Sequence, residues 1–324
     1  MNVLLANDTA TVAHVGCQGV SDGHARMLGR AGHHVKHRLF LGSLDHHVGE
    51  TDDELIQSLL SDDHLVAQID EVDAVVVNGE GTIHHGAGRP LLALLAVAQA
   101  RGKPTLLVNA VFQETAGFDD TLQRLDDFTT RESRSCQHAL ARGFRARVVP
   151  DSILSARFEP ANVRLRGELY TDAHWQRSEV TSALQNYAGR HLATPLPLHY
   201  PGALQDWSTM VSKVSEADLI VTGRHHGIYL AILAGLPFVA MGSNTFKVEG
   251  VLEDIDMRLA FAHDVAGIVR ARAWALERRD AFRSLLDRLT GGAALSTFAA
   301  LGTDGDDRER QEVEKLRADL AVAS

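Results

Sequence analysis

Cysteine is nearly absent from this chain: Cys17 and Cys136 are the only two in 324 residues. They share no CxxC spacing, so a disulfide scaffold is excluded and the reduced thiols of a cytoplasmic protein are expected. An excess of positive charge is missing as well. Lys and Arg number 32 against 42 Asp and Glu, a formal charge of −10. That excludes the broad basic face of a nucleic-acid or anionic-membrane binder, though not a local positive pocket. The longest apolar run, residues 228–242, is broken by Pro237 and falls short of the ~20 residues that a membrane span requires. The apolar run at 3–6 has no basic flank and is too short for a signal peptide. Internal repeats, low-complexity tracts, GxSxG elbows, Walker A loops and kinase signatures are all lacking.

What remains is an ordinary globular balance, 45% apolar and 23% charged, at a length suited to two domains. Short apolar strands alternate with helical stretches. Residues 2–6, 35–41, 73–77, 104–110, 128–130 and 145–149 read as strands. Helices are expected over 21–31, 52–60 (with Thr51 as N-cap), 90–101 and 135–142. The run at 73–77 has no polar alternation, the mark of a strand buried on both faces of a parallel sheet. Periodicity lapses around 155–166 and then resumes. Strands are expected at 168–172, 196–200, 218–222 and 237–241, with helices at 179–191, 206–214, 226–234, 248–254 and through 265–289. The fold expected is α/β, two Rossmann-like domains facing a cleft, at 1–155 and 156–303, followed by a charged C-terminal helix at 304–324.

Ligands of open parallel sheets bind beyond the carboxyl ends of the strands. Those positions hold Asn7, Asp8 and Thr9, then Asn78-Gly79-Glu80-Gly81-Thr82 followed by His84 and His85, then Arg131-Glu132 and Asp151. In the second half they hold Gly223-Arg224-His225-His226-Gly227, then Gly242-Ser243-Asn244 and Lys247. Gly79 and Gly81 make either a tight turn or a ligand cradle, and the third glycine of a dinucleotide fingerprint is not in register. Arg131-Glu132 is either a surface ion pair of little worth or part of a site. Arg224-His225-His226 is more specific. It joins an apolar strand to an apolar helix, where free backbone N–H groups and the helix dipole favour anions and Arg adds planar recognition of carboxylate or phosphate.

There are 17 histidines. His33, His34, His37, His46 and His47 lack an HExxH context and are expected to be solvated loop residues, so no metal is expected. His84 is placed by the glycine turn at the cleft mouth. Cys17 is either a thiolate nucleophile or, the preferred reading, a small packing residue.

Taken in order, these strand-end motifs resemble the polysaccharide pyruvyl transferase family. Asn7-Asp8-Thr9 with His14-Val15-Gly16-Cys17 resembles the family's opening. Gly79-Glu80-Gly81-Thr82 resembles its glycine-rich element, with Glu80 interrupting the glycines. Arg131-Glu132, Ser135, Gly143 and Pro150-Asp151 match its central spacing, and Arg224-His225-His226-Gly227 matches Arg-x-His-Gly, with His225 where Leu is usual. Ala234-Gly235-Leu236-Pro237 and Lys247 continue in register. The resemblance implies a GT-B-like fold and transfer of the pyruvyl group of phosphoenolpyruvate onto two hydroxyls of a sugar, forming a ketal and releasing phosphate. No cofactor is expected beyond that donor substrate. His226 and Arg224 are the implied catalytic residues, and Arg131, Arg224, Lys247, Ser243 and Asn244 the donor-binding set. Asn7, Asp8, Asn78, Glu80, Thr82 and His84 are candidates for the acceptor: a free sugar, a nucleotide sugar or a lipid-linked glycan. Neither nucleic acid nor stable membrane insertion is expected. The rival reading is a GT-B glycosyltransferase using a nucleotide sugar, for which Glu249 is the available ribose carboxylate. A binding protein that has lost turnover is a further alternative.

Overall fold

The computed structural model describes residues 1–203, 206–290, 297–301 and 305–323, with side chains through 301 and again from 314. Residues 304 and 324, the expected ends of the C-terminal helix, lie outside the described residues. Two compact units emerge. The first comprises residues 1–11, 24–152 and the described part of 295–308; the second comprises 12–23, 153–294 and 309–324.

In chain order the first half runs β1 (Asn2–Asp8), α1 (Val15–Arg30), β2 (His34–Phe40), α2 (Asp52–Leu60), α3 (Asp63–Asp70) and β3 (Ala74–Asn78). It continues through α4 (Arg89–Ala100), β4 (Thr105–Ala110), α5 (Asp119–Gln123), β5 (Asp127–Thr130), α6 (Ser133–Ala141) and β6 (Arg147–Val148). All six strands are parallel, in the order β2-β1-β3-β4-β5-β6. The alternation of side chains along a strand sends Leu4, Ala6, Val75, Val77 and Leu107 into one core. Val3, Leu5, Ala74, Val76, Leu106 and Val108 enter another, with Met27, Leu28, Phe298 and Leu301. Both faces of the sheet are thus covered, which is why these strands read as unbroken apolar runs. Each fully buried Val or Leu among them contributes roughly 1.5–3 kcal/mol.

Helix α2 starts where Thr51 predicts. The Thr51 hydroxyl accepts from the Glu54 N–H at 3.2 Å and the Glu54 carboxylate accepts from the Thr51 N–H at 3.1 Å, a reciprocal capping box. Helix α3, which the sequence reading leaves out, carries the same kind of signal. The Asp62 carboxylate caps it, and Leu65 and Ile69, four residues apart, are its buried face.

The second half holds β7 (Gly167–Ala173), α7 (Ser178–His191), β8 (Thr194–Pro195), α8 (Met210–Val214), β9 (Ala217–Gly223) and α9 (His225–Leu233). Next come β10 (Phe238–Met241), α10 (Lys247–Asp254), β11 (Phe261–Ala262), α11 (Val265–Glu277), α12 (Arg279–Arg283) and α13 (Leu285–Thr290), and α14 (Gly305–Ala323) ends the chain. Its five strands are parallel, ordered β11-β10-β9-β7-β8. Among the described residues no helix is long and apolar enough to cross a membrane.

Three expectations are corrected. The strand expected at 196–200 leaves the sheet after Leu196, whose N–H donates to the Tyr170 carbonyl. Beyond it the chain pairs antiparallel with the segment before α1: His14 bridges His199, the Val15 N–H reaches the Leu198 carbonyl at 2.8 Å, and the Tyr200 N–H reaches the Ala13 carbonyl at 2.9 Å. Helix α1 begins at Val15 rather than 21. Helix α8 begins at Met210 rather than 206, because the Asp206 carboxylate takes the Ser208 N–H and hydroxyl into a local turn.

Gly79, just beyond β3, has a position that tolerates no side chain, since a Cβ there lies 2.5 Å from the Ala110 Cβ. Gly79→Ala is expected to lower unfolding free energy by about 1–3 kcal/mol through overpacking, measurable by urea denaturation.

Candidate active site

Both sheets have a point where the connections leaving two neighbouring strands run to opposite sides, and α/β ligands bind beside such a point. In the second unit it lies at the ends of β7 and β9. β7 delivers Asp172 and β9 delivers Gly223 and Arg224. Arg224 Nε donates to Asp172 Oδ2 at 2.8 Å, and its Nη2 bonds the same oxygen. The other carboxylate oxygen accepts from the Leu198 N–H at 2.6 Å. The Arg224 backbone is extended and precedes α9. Its N–H donates to the Thr222 hydroxyl at 3.0 Å, and that hydroxyl donates back to the Arg224 carbonyl at 2.9 Å. The glycine after the His pair is required by this turn: a Cβ on Gly227 would lie 2.1 Å from the Thr222 Oγ1.

His226 is buried in the first turn of α9, edge-on to His225 and to His14, each with ring centroids 5.4 Å away. Its floor is backbone. A Cβ on Gly16 would lie 2.4 Å from the His226 Cβ, Cγ and Nδ1. His14 precedes α1 as its N-cap: its carbonyl accepts from the Gln18 N–H, and its Nδ1 accepts from the Gly16 N–H at 3.1 Å and the Cys17 N–H at 3.3 Å. With Nδ1 an acceptor, the neutral ring carries its proton on Nε2. Burial, then the nearby His226, Arg224, His199 and Lys247, hold the His14 pKa well below the usual histidine value. Lys247 opens α10, buried, and its Nζ donates to Asn244 Oδ1 at 2.8 Å. The Ser243 hydroxyl reaches the same amide oxygen at 3.2 Å, and the Ser243 carbonyl accepts from Arg177 Nη1. Arg224, His226 and Lys247 therefore gather around His14 as a cluster of cationic and titratable side chains. His14, Asp172 and His199 were not among the site residues chosen from sequence. The Asp172 position at a strand end was the available signal for it.

In the first unit the equivalent point lies at the ends of β1 and β3, and it collects the acceptor candidates. Asn7 Nδ2 donates to the Asn78 carbonyl at 2.6 Å and to Thr82 Oγ1 at 3.0 Å, and Asn78 Nδ2 donates back to the Asn7 carbonyl at 3.2 Å. Thr9 Oγ1 donates to Glu80 Oε2 at 3.1 Å, Arg38 pairs with Asp8, and His84 Nε2 lies 2.9 Å from the Gly81 carbonyl. Asn7, Asp8, Asn78 and Glu80 are buried. Their polar atoms mainly shape this double-loop rim, and Thr82 and His84 are the more exposed members. A cavity of about 60 Å³ beside it, lined by Asn7, Thr82, Leu41 and Leu44 among others, has room for water rather than a sugar ring.

Arg131, expected with the donor set, belongs to this first unit. It is 3% exposed and its Nη1 donates to Asp151 Oδ2 at 2.8 Å. The reading of Arg131-Glu132 as a surface ion pair is corrected, because both are buried and Glu132 instead caps α6 by accepting from the Ser135 N–H. The expectation of solvated loop histidines also fails in part: His34 and His37 lie on β2, and His33 and His47 are buried. Cys17, read from sequence as a small buried packing residue, is only partly buried.

Two parallel-sheet α/β units, each with polar side chains at its strand-order reversal, make a GT-B-like fold. The family model "Polysaccharide pyruvyl transferase" matches residues 34–245, and the chain belongs to that family, as a transferase. No curated protein matches the chain in sequence. Among solved structures it is similar to a putative UDP-N-acetylglucosamine 2-epimerase from Listeria monocytogenes (TM-score 0.58, 13% identity, covering 93% of this chain and 94% of that one). It is also similar to the UDP-GlcNAc 2-epimerase of Neisseria meningitidis (TM-score 0.55, 11% identity, 98% and 100%) and to Acinetobacter baumannii MurG (TM-score 0.50, 15% identity, 98% and 99%). At these identities the likeness concerns the fold.

Gly16→Ala displaces His226 by contact with its ring and is expected to lower turnover by about 10²-fold, with substrate binding measured separately to locate the loss. His24, buried in the first unit, has its pKa lowered from 6.5 to about 4, chiefly by burial. Below pH 6.5 the unfolded chain takes up the proton first, so this contribution to stability is complete above pH 6.5 and is lost as pH falls toward 4. His14 acts in the same direction. The expected slope is up to about 1.4 kcal/mol per pH unit for each ring. Urea titrations between pH 7 and 4 should show a shallower slope for His24→Leu than for the wild type.

Proposed function

We propose that this enzyme moves the pyruvyl group of phosphoenolpyruvate onto two hydroxyls of a sugar or glycan, forming a cyclic ketal and releasing phosphate. The observation that carries the reading is the cluster of Arg224, Lys247 and His226 around a neutral His14. The donor has a phosphate and a carboxylate on a small body. It needs paired cations and fixed N–H donors, and Arg224 and Lys247 supply the cations while the starts of α9 and α10 supply backbone N–H groups. Ser243 and Asn244 hold the Lys247 ammonium in place.

In the proposed reaction the protonated His226 gives its proton to the methylene carbon of the donor. The adjacent carbon becomes oxocarbenium-like and forms a bond to the first sugar hydroxyl, whose proton returns to His226. The C–O bond to phosphate then breaks, the second hydroxyl attacks, and its proton leaves with the phosphate. One hydroxyl proton thus ends on the new methyl group and the other on phosphate. Histidine suits this work because its ordinary pKa lies near neutrality. No cofactor is needed in the scheme. The rim of Asp8, Glu80, Thr82 and His84, with Asn7 and Asn78 holding its shape, is assigned to the acceptor, and Arg131 to the support of that rim through Asp151. A cytoplasmic location goes with this donor.

The test is a thermal melt with phosphoenolpyruvate beside a panel of uridine, guanosine and thymidine diphosphate compounds, and then a phosphate-release assay. At 100 times its dissociation constant a ligand stabilises the fold by about 2.7 kcal/mol. Phosphoenolpyruvate is expected to shift the wild type, and the shift should vanish in Arg224→Ala. His226→Ala should still bind the donor and lose at least about 10²-fold in turnover. A response confined to nucleotides would overturn the donor assignment.

A further inference from the structure

The loop between β2 and α2 carries His46 and His47, and the turn between α2 and α3 carries Asp62. We propose that these three side chains form a binding site for a divalent transition-metal ion of the zinc class. His47 Nε2 lies 3.5 Å from Asp62 Oδ2 and His46 Nε2 lies 4.0 Å from the same oxygen. One ligand atom from each residue lies within 4.8 Å of the others. Ligands held about 2.0–2.2 Å from a tetrahedral ion stand about 3.3–3.6 Å apart, so the group closes on an ion with shifts below about 1 Å.

Each ligand is also held for the role by its other atoms. The His47 side chain is 5% exposed, and its Nε2 has no hydrogen-bond partner among the described residues. Its Nδ1 lies 3.2 Å from the Ser58 hydroxyl, the outer contact that fixes a ligating imidazole ring. Asp62 Oδ1 accepts from the His64 and Leu65 N–H groups, both at 3.0 Å, which turns Oδ2 toward the histidines. The His46 ring stands beside that of His47, centroids 4.0 Å apart, and is largely exposed, which leaves one side of the site open to solvent. Two imidazoles and one carboxylate suit zinc better than calcium or magnesium.

The second histidine cluster, His14, Cys17 and His226, fits an ion less well, because His14 Nδ1 is already an acceptor for two backbone N–H groups. An ion at His46, His47 and Asp62 would fasten the 41–51 loop, whose Leu41 and Leu44 line the small cavity beside Asn7 and Thr82. The site stands apart from the donor chemistry.

The full-length protein, stripped with a chelator, is titrated with zinc chloride by calorimetry and melted with and without the metal. His46→Gln removes an exposed ligand, and Asp62→Asn removes the carboxylate while keeping a residue able to cap α3. Both are expected to melt like the wild type without metal, to bind zinc at least about tenfold more weakly, and to lose the zinc-induced rise in melting temperature. Cys17→Ser should bind zinc like the wild type. Equal zinc binding by wild type, His46→Gln and Asp62→Asn would overturn the proposal. So would a wild type that binds no zinc, or a loss of binding confined to Cys17→Ser.

Discussion

The carboxylate of Asp172 is the contact on which the site of the second unit depends. One oxygen takes the Leu198 N–H and the other takes two N–H groups of Arg224. The first bond holds the chain after β8 away from the sheet, where it pairs with residues 13–15 at the start of α1. The second aims the guanidinium before α9 begins. Charge-assisted bonds of this kind are about twice as strong as neutral ones. Here the charge also serves position, since Leu198, Arg224 and, through the His14–His199 bridge, the floor beneath His226 all take their places from one side chain.

The two units handle buried polarity in opposite ways. In the second, Arg224 is paired with the Asp172 carboxylate, and His14 beside it is kept neutral chiefly by burial. A neutral N–H donor among cations adds attraction for an anion without adding to their mutual repulsion. In the first unit the carboxylates of Asp8, Glu80 and Asp151 surround His24, which is nevertheless kept neutral because desolvation outweighs their pull. Arg38 and Arg131 answer Asp8 and Asp151 directly.

Much of this was legible in the sequence wherever one rule governed a segment. Buried parallel strands such as β3 and β4 announce themselves as unbroken Val, Leu and Ala runs, and Thr51 with Glu54 marks the start of α2. The Arg224-to-Gly227 motif was readable because charge at a strand-to-helix junction is costly unless used. What was not legible depended on partners distant in sequence. Nothing near 196–200 shows that this apolar stretch would pair with residues 13–15, and nothing near His14 shows that its ring would cap its own helix and face His226. The buried pairing of Arg131 is of the same kind: its partner Asp151 lies 20 residues on. His47 reads as a solvated loop residue because its neighbours Ser58, in α2, and Asp62, the cap of α3, lie 11 and 15 residues on.

Residues 12–23 are counted with the second unit, although residues 1–11 before them and 24–152 after them belong to the first. The C-terminal stretch divides as well, at 308. Neither unit is therefore a continuous piece of polypeptide. Cutting the gene at the lapse of periodicity near 155 would yield an N-terminal fragment carrying the first turns of α1 without the residues they pack on, and a C-terminal fragment whose His226 has lost its glycine floor. Any exchange of halves between members of the family would have to carry residues 12–23 with the C-terminal half.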